Sequence, residues 1–488
     1  TLQWQSSLDN ANWTDIPGET TDVYTAGPVG VPTFFRVQVT FGCTVSSVFF
    51  LVTLPPPPPF VGDYAFRQRL IIPAANVEGS NDLIDFPVLV KTVDEELRDF
   101  VQNPNGYDIA FTEVDGTPLD HDLEYFNPTT GELIAWVRIP TLSHSNDTEF
   151  FMYFGDGSIV SDMSVPSTWE VSYEGVYHLN DNYLDATSNA YHATNNGTVF
   201  SPASVGNGAL FDATADEITT SNTTNSSQYT ISGWISPSAF GNQFPRVVEK
   251  DGVLRIMVNN NAPSGPIGAV RFIPVGFTGG NDWWSTTHVS PGSTYYLTIT
   301  YDGSNFTNDP KFYFNGIEEA FDGVNTTQPT GGSFGISAAP WIIGNDPVGN
   351  RNWSGLIDEF RIANTIRTAD WIATEYHNQN DPQDFVQFDF TESSAFITTW
   401  KTMSPGESIT IPTTGGGYNY DVDWGDGSDD VGVAGNIGHT YTNAGEYEVV
   451  ITGAFPRIYF NNQPGAEKII SVDNWGSQVW ASMENAFS

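Results

Sequence analysis

Basic residues are scarce: 17 Lys+Arg stand against 58 Asp+Glu, so the 488-residue chain carries a formal charge of −41 at pH 7. A surface of that sign repels a phosphate backbone wherever its field is felt, which excludes nucleic acid as a partner. Cysteine is almost absent. The single Cys43 permits no intrachain disulfide, zinc cluster or redox pair, and it reads as a small residue at a strand end. No apolar run approaches the ~20 residues needed to cross a bilayer, so no membrane insertion is expected of this stretch. The chain opens on "TLQWQ" with neither methionine nor signal sequence, and is expected to be a piece of a longer mature protein.

Glycine (46), proline (31) and aromatic residues (14%) are plentiful instead, while charged residues reach only 15%, below the usual quarter or so. That mixture suits short strands joined by polar turns, and predicts an all-β chain: an elongated string of β-sandwich domains. Residues 1–54 alternate apolar and polar in "TLQWQSS", "TFFRVQVT" and "SVFFLVTL", the pattern of a small antiparallel sandwich. The Pro55–Pro59 run within 55–61 is a stiff spacer. Strand-like segments such as "DFPVLVKT", "GELIAWVRIP" and "TEFFMYFGDG" fill 62–165 and imply a second sandwich. In 166–382, Asn315-Gly316 supplies the two positive-φ residues of a type I′ hairpin. Thr368 is placed there to cap the one expected helix, whose apolar face is Trp371, Ile372 and Tyr376. Residues 383–455 hold "YDVDWGDGSDD". Counted from Asp421, an EF-type calcium loop would put glycine at the sixth position and glutamate at the twelfth. Asp426 and Gly432 stand there instead, so the stretch reads as a turn with Trp424 anchored in a core.

Several of these segments resemble known families. "TLQWQSS" with "FFRVQVTFGC" resembles the immunoglobulin-like repeats of bacterial surface adhesins. The stretch from "FTEVDGTPLDHDLEYF" to "TEFFMYFGD" resembles an uncharacterised β-sandwich family found beside laminin-G-like domains. "VYHLNDNYLDATSNAYHAT", "YTISGWISP", "KFYFNGIEE" and "WSGLIDEFRIANTIRTADWI" resemble the laminin-G-like or concanavalin-A-like jelly roll. The series W-G-D-G, H-T-Y and G-E-Y-E-V-V-I resembles the polycystic-kidney-disease-type sandwich. "W-A-S-M-E-N-A-F" within 456–488 resembles the entry into bacterial surface leucine-rich repeats. One unit cannot bury its own faces, so a frayed end or a truncated array is expected. The combination is similar to the large adhesins of gliding bacteria, which implies a secreted, cell-surface segment whose jelly roll binds surface glycans or other cell-surface proteins. Self-assembly is left open. The rival readings are a non-catalytic part of a polysaccharide-degrading enzyme and a structural stalk.

No catalytic residues are assigned. Asp120, Asp122 and Glu124 in "DHDLEYF" fall on one strand face, where grouped carboxylates serve glycosidases, but a solvated face is the expected reading. The dispersed histidines, among them His178, make no constellation. For ligand binding the candidates are Asn281, Asp282, Trp283 and Trp284. In an extended strand one indole would enter the core and the other would stay near solvent as a platform for a sugar ring; alternatively both cover a sandwich edge. The jelly-roll family often carries a structural calcium, and resemblance places its ligands at Asp181 or Asp185 and at Asp358. Asp358 alternatively pairs with Arg361 or caps a turn.

Overall fold

The structure is a computed structural model that describes residues 2–7, 14–16, 33–41, 44–52, 60–212, 215–241, 243–462 and 465–487. Cys43 and Pro55–Pro59 lie outside them. The chain divides into two compact units, Thr1–Pro59 and Phe60–Ser488. In the first, the described strands form one antiparallel sheet in the order Thr14–Asp15, Leu2–Ser7, Thr33–Phe41, Thr44–Val52.

The second unit begins with a sandwich. One sheet runs Gln387–Ser393, Phe66–Ile72, Thr148–Phe154, Ala110–Glu113; the other runs Leu83–Val93, Glu132–Leu142, His121–Asn127. Val88 and Val137 face each other across the second sheet and point into the sandwich core, whereas the neighbouring pair Leu89 and Trp136 point out of it into a second buried cluster. A sheet buried on both faces explains why "PVLV" and "LIAWV" read as unbroken apolar runs rather than as alternation.

What covers the outer face is the jelly roll. Its two sheets are Val199–Pro202, Asn207–Phe211, Gly355–Ala363, Gln228–Pro237, Tyr295–Asp302, Lys311–Phe314, Ile317–Glu319, and Ala193–Asn196, Glu217–Thr220, Trp341–Ile343, Arg246–Lys250, Leu254–Val258, Ala269–Pro274, Trp283–His288. Tyr173–Tyr177 also pairs with Gly355–Ala363. Ile218, Ile231, Phe272, Trp341, Ile357 and Phe360 pack between the sheets. Asn315 and Gly316 adopt φ +51° and +77° in the two-residue hairpin joining Lys311–Phe314 to Ile317–Glu319, as their sequence requires.

The jelly roll and sandwich are not beads on a linker. Leu89, Ile134 and Trp136 of the sandwich share one buried cluster with Trp169, Tyr173, Val176, Val205 and Ala363 of the jelly roll. The helix Ala369–Asn380, capped as expected by Thr368, carries Trp371 into the sandwich core. Its Asn378 side chain accepts from Leu89 N at 2.7 Å and donates to Leu89 O at 3.0 Å, closing the open edge of the Leu83–Val93 strand. Phe385 and Val386 join the sandwich core, and Gln387–Ser393 pairs with Phe66–Ile72. The boundaries drawn at 382 and 383 therefore cut through the sandwich. Its last strand arrives only after the whole jelly roll has been inserted.

The final sandwich holds a sheet in the order Asp429–Val433, Asn419–Asp423, Gly445–Ala454, Phe396–Thr402, Ile469–Asn474, with Ser408–Ile411 paired to Ile437–Thr440. Trp424 is fully buried and donates its Nε1–H to Asp430, while Gly425 and Gly427 take φ +73° and +88°, so the "WGDG" stretch is a turn. The segment 456–488 departs from expectation. Ile458, Phe460 and Ala486 are buried in the same core as Trp424, and Ile469–Asn474 adds an edge strand beside Phe396–Thr402. Trp475, Val479, Met483 and Phe487 of the same segment stay exposed.

A chain ending at residue 382 loses Phe385 and Val386, both 0% exposed. At about 1.5–3 kcal/mol per buried side chain, residues 60–382 should unfold at least 3 kcal/mol more easily than residues 60–393 by urea titration followed in the sandwich tryptophans.

Candidate functional site

The sandwich and jelly roll meet on a set of charged side chains, and local structure explains why they converge. Asp122 and Glu124 lie on the strand His121–Asn127, whose register slips between Leu123 and Tyr125. Period two places both carboxylates on the face opposite the sandwich core. On the jelly-roll side, pairing of Gly355–Ala363 with Gln228–Pro237 slips between Ser232 and Trp234. Glu359 takes φ +49° there, opposite Gly233, where a Cβ would lie 3.2 Å from Asp358 O and 3.3 Å from Phe360 Cα. This bulge sends Ile357 and Phe360 into the core while Asp358, Glu359 and Arg361 leave it together.

His178, just beyond the strand Tyr173–Tyr177, sits at the centre. Its Nδ1 lies 2.8 Å from Glu359 Oε1 and 3.3 Å from Glu124 Oε2, and its Nε2 lies 3.2 Å from Asp122 Oδ2. Trp136 Nε1 donates to Glu124 Oε2 (2.8 Å), Asn180 Nδ2 to Glu124 Oε1 (2.8 Å) and Trp169 Nε1 to Asp122 Oδ2 (2.9 Å). Arg361 donates to Glu359 Oε2 at 2.8 Å and to Glu375 Oε1 of the helix at 2.7 Å. Its guanidinium lies over Trp136 and Trp169, 4.2 and 4.9 Å from the ring centroids.

Five carboxylates, Asp122, Glu124, Asp358, Glu359 and Glu375, thus surround two cationic side chains, His178 and Arg361. Burial pushes Glu124 up to about 7 against the pull of His178. Burial together with Glu359 holds Asp358 well above the carboxylate range. Burial works against the charged imidazole of His178, but Glu359 and Glu124 outweigh it and raise its pKa well above the ordinary value. Burial likewise opposes ionisation of Glu359, which His178 and Arg361 nevertheless hold below its ordinary value. The side chains of Glu124, His178 and Glu359 are 2%, 8% and 0% exposed. The centre can hold a proton or a cation, but a polymer cannot reach it. The expectation of a solvated face for Asp122 and Glu124 is overturned because the jelly roll covers that face.

The other expected sites are arranged differently. Trp283 and Trp284 are both buried, at 0% and 3% exposure. Trp283 packs in the jelly-roll core and donates to Asp309. Trp284 lies on the outer side of its strand, but Arg271 stacks on it at 4.2 Å, and Gly265 closes over it so tightly that a Cβ would stand 2.8 Å from the ring. Asn281 donates to Pro274 O, and Asp282 is ion-paired to Arg271. No indole platform is presented.

The three aspartates expected to bind calcium do not form a ligand set among the described residues. Asp185 is buried, and its oxygens accept from the amides of Val176, Thr187 and Tyr191 and from the Thr187 hydroxyl. Asp181 is exposed and accepts from Asn207 Nδ2. Asp358 Oδ2 accepts from Ser204 N and Val205 N. Donors fully engage Asp185 alone, and the three carboxylates are not gathered into the shell of six to eight oxygens that calcium takes. Glu124, His178 and Glu359 form the one group among the described residues whose ligand atoms all lie within 4.8 Å of one another. Sequence reasoning passed over them because their partners come from distant parts of the chain. The available hints were the apolar flanks of "DHDLEYF" and the acidic pair in "IDEFR".

An open groove of about 370 Å³ lies on the first jelly-roll sheet, between Ala203, Ser204, Ser236, Pro237, Thr294 and Leu356. No carboxylate, imidazole or amine lines it.

Residues 212–373 match the family model described as the concanavalin A-like lectin/glucanases superfamily (Laminin_G_3). Residues 105–217 match the domain of unknown function DUF2341, and residues 1–56 match the domain of unknown function DUF8696. The chain therefore contains a concanavalin A-like domain beside a DUF2341 sandwich. No curated protein matches the chain. Similar solved structures include domain 4 of AbnA, a GH43 extracellular arabinanase from Geobacillus stearothermophilus in complex with arabinotriose, at 18% identity and TM-score 0.31, covering 41% of this chain and 97% of that one. Others are the binding domain of Paraclostridial Mosquitocidal Protein 1 (14%, TM-score 0.33, covering 50% of this chain and 61% of that one) and the receptor binding domain of botulinum neurotoxin D (13%, TM-score 0.33, covering 62% and 84%). Scores at this level carry no argument for this chain.

Arg361→Ala leaves Glu375 buried without its cation and Glu359 with His178 alone, and should cost about 3–5 kcal/mol in denaturant unfolding. Trp283→Ala and Trp284→Ala should each destabilise by about 3–5 kcal/mol, measured in the same way.

Proposed function

We propose that the chain is a binding segment of a secreted bacterial surface adhesin, in which the concanavalin A-like domain holds glycan or protein ligands and the other modules position it. The observation that carries this reading is the contrast between the charged junction and an open groove. The clustered carboxylates and imidazole at the junction of sandwich and jelly roll are buried. The groove that is open to solvent is lined by small polar and apolar residues: Ser204, Ser236, Thr294, Pro237 and Leu356. Hydroxyls there pair with each other, as Ser236 Oγ does with Thr294 Oγ1 at 2.7 Å, and no base stands beside them to activate a nucleophile. Such a surface can retain a ligand by shape and hydrogen bonds without transforming it. The strongly acidic composition favours uncharged glycans or basic protein surfaces over anionic polymers.

The test is a glycan and protein-ligand array with residues 60–488, which keep the sandwich and jelly roll intact, followed by turnover assays on every ligand retained. Retention without turnover is expected, and Thr294→Trp, which fills the groove from an exposed position, should weaken it by about tenfold or more, each tenfold being about 1.4 kcal/mol. Hydrolysis of a retained glycan, or retention unchanged by Thr294→Trp, would contradict the reading.

A further inference from the structure

We infer that the junction between sandwich and jelly roll is a binding site for one divalent transition-metal ion of the zinc class, held by Glu124 Oε2, His178 Nδ1 and Glu359 Oε1. The ligands come from both sides: Glu124 from the sandwich, His178 and Glu359 from the jelly roll. The ion would act as a structural clamp between the two.

Geometry is the first argument. Asp122 Oδ2 sits 3.2 Å from His178 Nε2. When that nitrogen donates, the Nδ1 lone pair faces two carboxylate oxygens, at 2.8 Å from Glu359 and 3.3 Å from Glu124. Three acceptors pointed at one another repel unless something positive lies between them. Zinc bonds nitrogen at about 2.0–2.1 Å and carboxylate oxygen at about 2.0–2.2 Å in a tetrahedral shell, so its ligand atoms stand about 3.3 Å apart. The Glu124 edge already has that length, and the Glu359 edge needs to open by about half an ångström.

Second, each ligand is held from behind as metal ligands usually are. Asp122 orients the imidazole through its far nitrogen. Trp136 and Asn180 fix Glu124, and Arg361 fixes Glu359 through the other oxygen.

Third, five carboxyl side chains gather around two cationic ones, and one divalent ion would offset the crowding of those that ionise. Asp358 Oδ1, in a residue 1% exposed, has no hydrogen-bond partner and stands outside the group of three ligand atoms. A water molecule would complete the tetrahedral shell. A cleft of about 150 Å³ lined by Tyr125, Glu132, Ile134, Asn180, Gly206 and Asn207 ends on the asparagine that holds Glu124, and gives the ion a way in.

The test uses the full chain, purified without chelator or metal-affinity resin, then loaded with zinc and dialysed. Elemental analysis should find one zinc per chain. The melting temperature should rise by several degrees with zinc and fall back with a chelator. Cobalt in place of zinc should give the visible absorption of a four-coordinate site. Glu124→Gln should lower zinc retention more than tenfold while its circular dichroism matches that of the chelated parent. If that variant fails to fold, metal content and the cobalt spectrum of the parent chain decide. Substoichiometric zinc with no thermal shift, a six-coordinate cobalt spectrum, stabilisation by calcium but not zinc, or unchanged retention in folded Glu124→Gln would each overturn the assignment and leave a proton as the bridging charge.

Discussion

Arg361 is the side chain on which the second unit's architecture turns. It lies 1% exposed between Glu359 and Glu375 and over the rings of Trp136 and Trp169, so it touches the jelly roll, the capping helix and the sandwich at once. A guanidinium taken out of water is costly, and the cost is offset only while Nη1 and Nη2 keep their two carboxylates, since Nε has no hydrogen-bond partner. That requirement fixes the rotation of the jelly roll against the sandwich more narrowly than the apolar contacts around it do. Leu89, Ile134, Val176 and Val205 tolerate sliding; a guanidinium that bridges two carboxylates over two indole rings does not. The bulge at Glu359 has the same logic: a non-glycine residue at φ +49° is a local cost that persists because it delivers three charged side chains to one face.

The chain order follows from this arrangement. The jelly roll is inserted between the Thr148–Phe154 and Gln387–Ser393 strands of the sandwich, so the sandwich cannot close its sheet until the jelly roll has folded and returned the chain through the helix Ala369–Asn380. The two modules are one packed body, joined by a shared buried cluster and by a strand that returns to the sandwich after the jelly roll.

Features governed by neighbours in sequence were readable from the residues alone. Asn315-Gly316 demanded its hairpin, Thr368 capped its helix, and Trp424 with Gly425 and Gly427 made a turn. Features governed by distant partners were not. Asp122 and Glu124 have the spacing of an exposed strand face, and nothing within ten residues announces that His178 and a second domain will cover it. Trp283 and Trp284 alternate as an extended strand requires, yet the outer indole is enclosed by Arg271 and the loop at Gly265. Resemblance to the jelly-roll family places Asp185 among the calcium ligands, whereas four donors within nine residues already occupy it. In 456–488 the preceding sandwich buries Ile458, Phe460 and Ala486 and leaves Trp475, Val479 and Phe487 exposed, a division that the spacing alone does not show.

The central claim is that sandwich and jelly roll are a single cooperative body locked by buried charge. Native-state hydrogen exchange of residues 60–488, followed across low denaturant concentrations, tests it most directly. The account predicts that amides of His121–Asn127 in the sandwich and Gly355–Ala363 in the jelly roll open with the same free energy and the same denaturant dependence. Two separate opening energies, with the jelly roll exchanging while the sandwich stays protected, would contradict it.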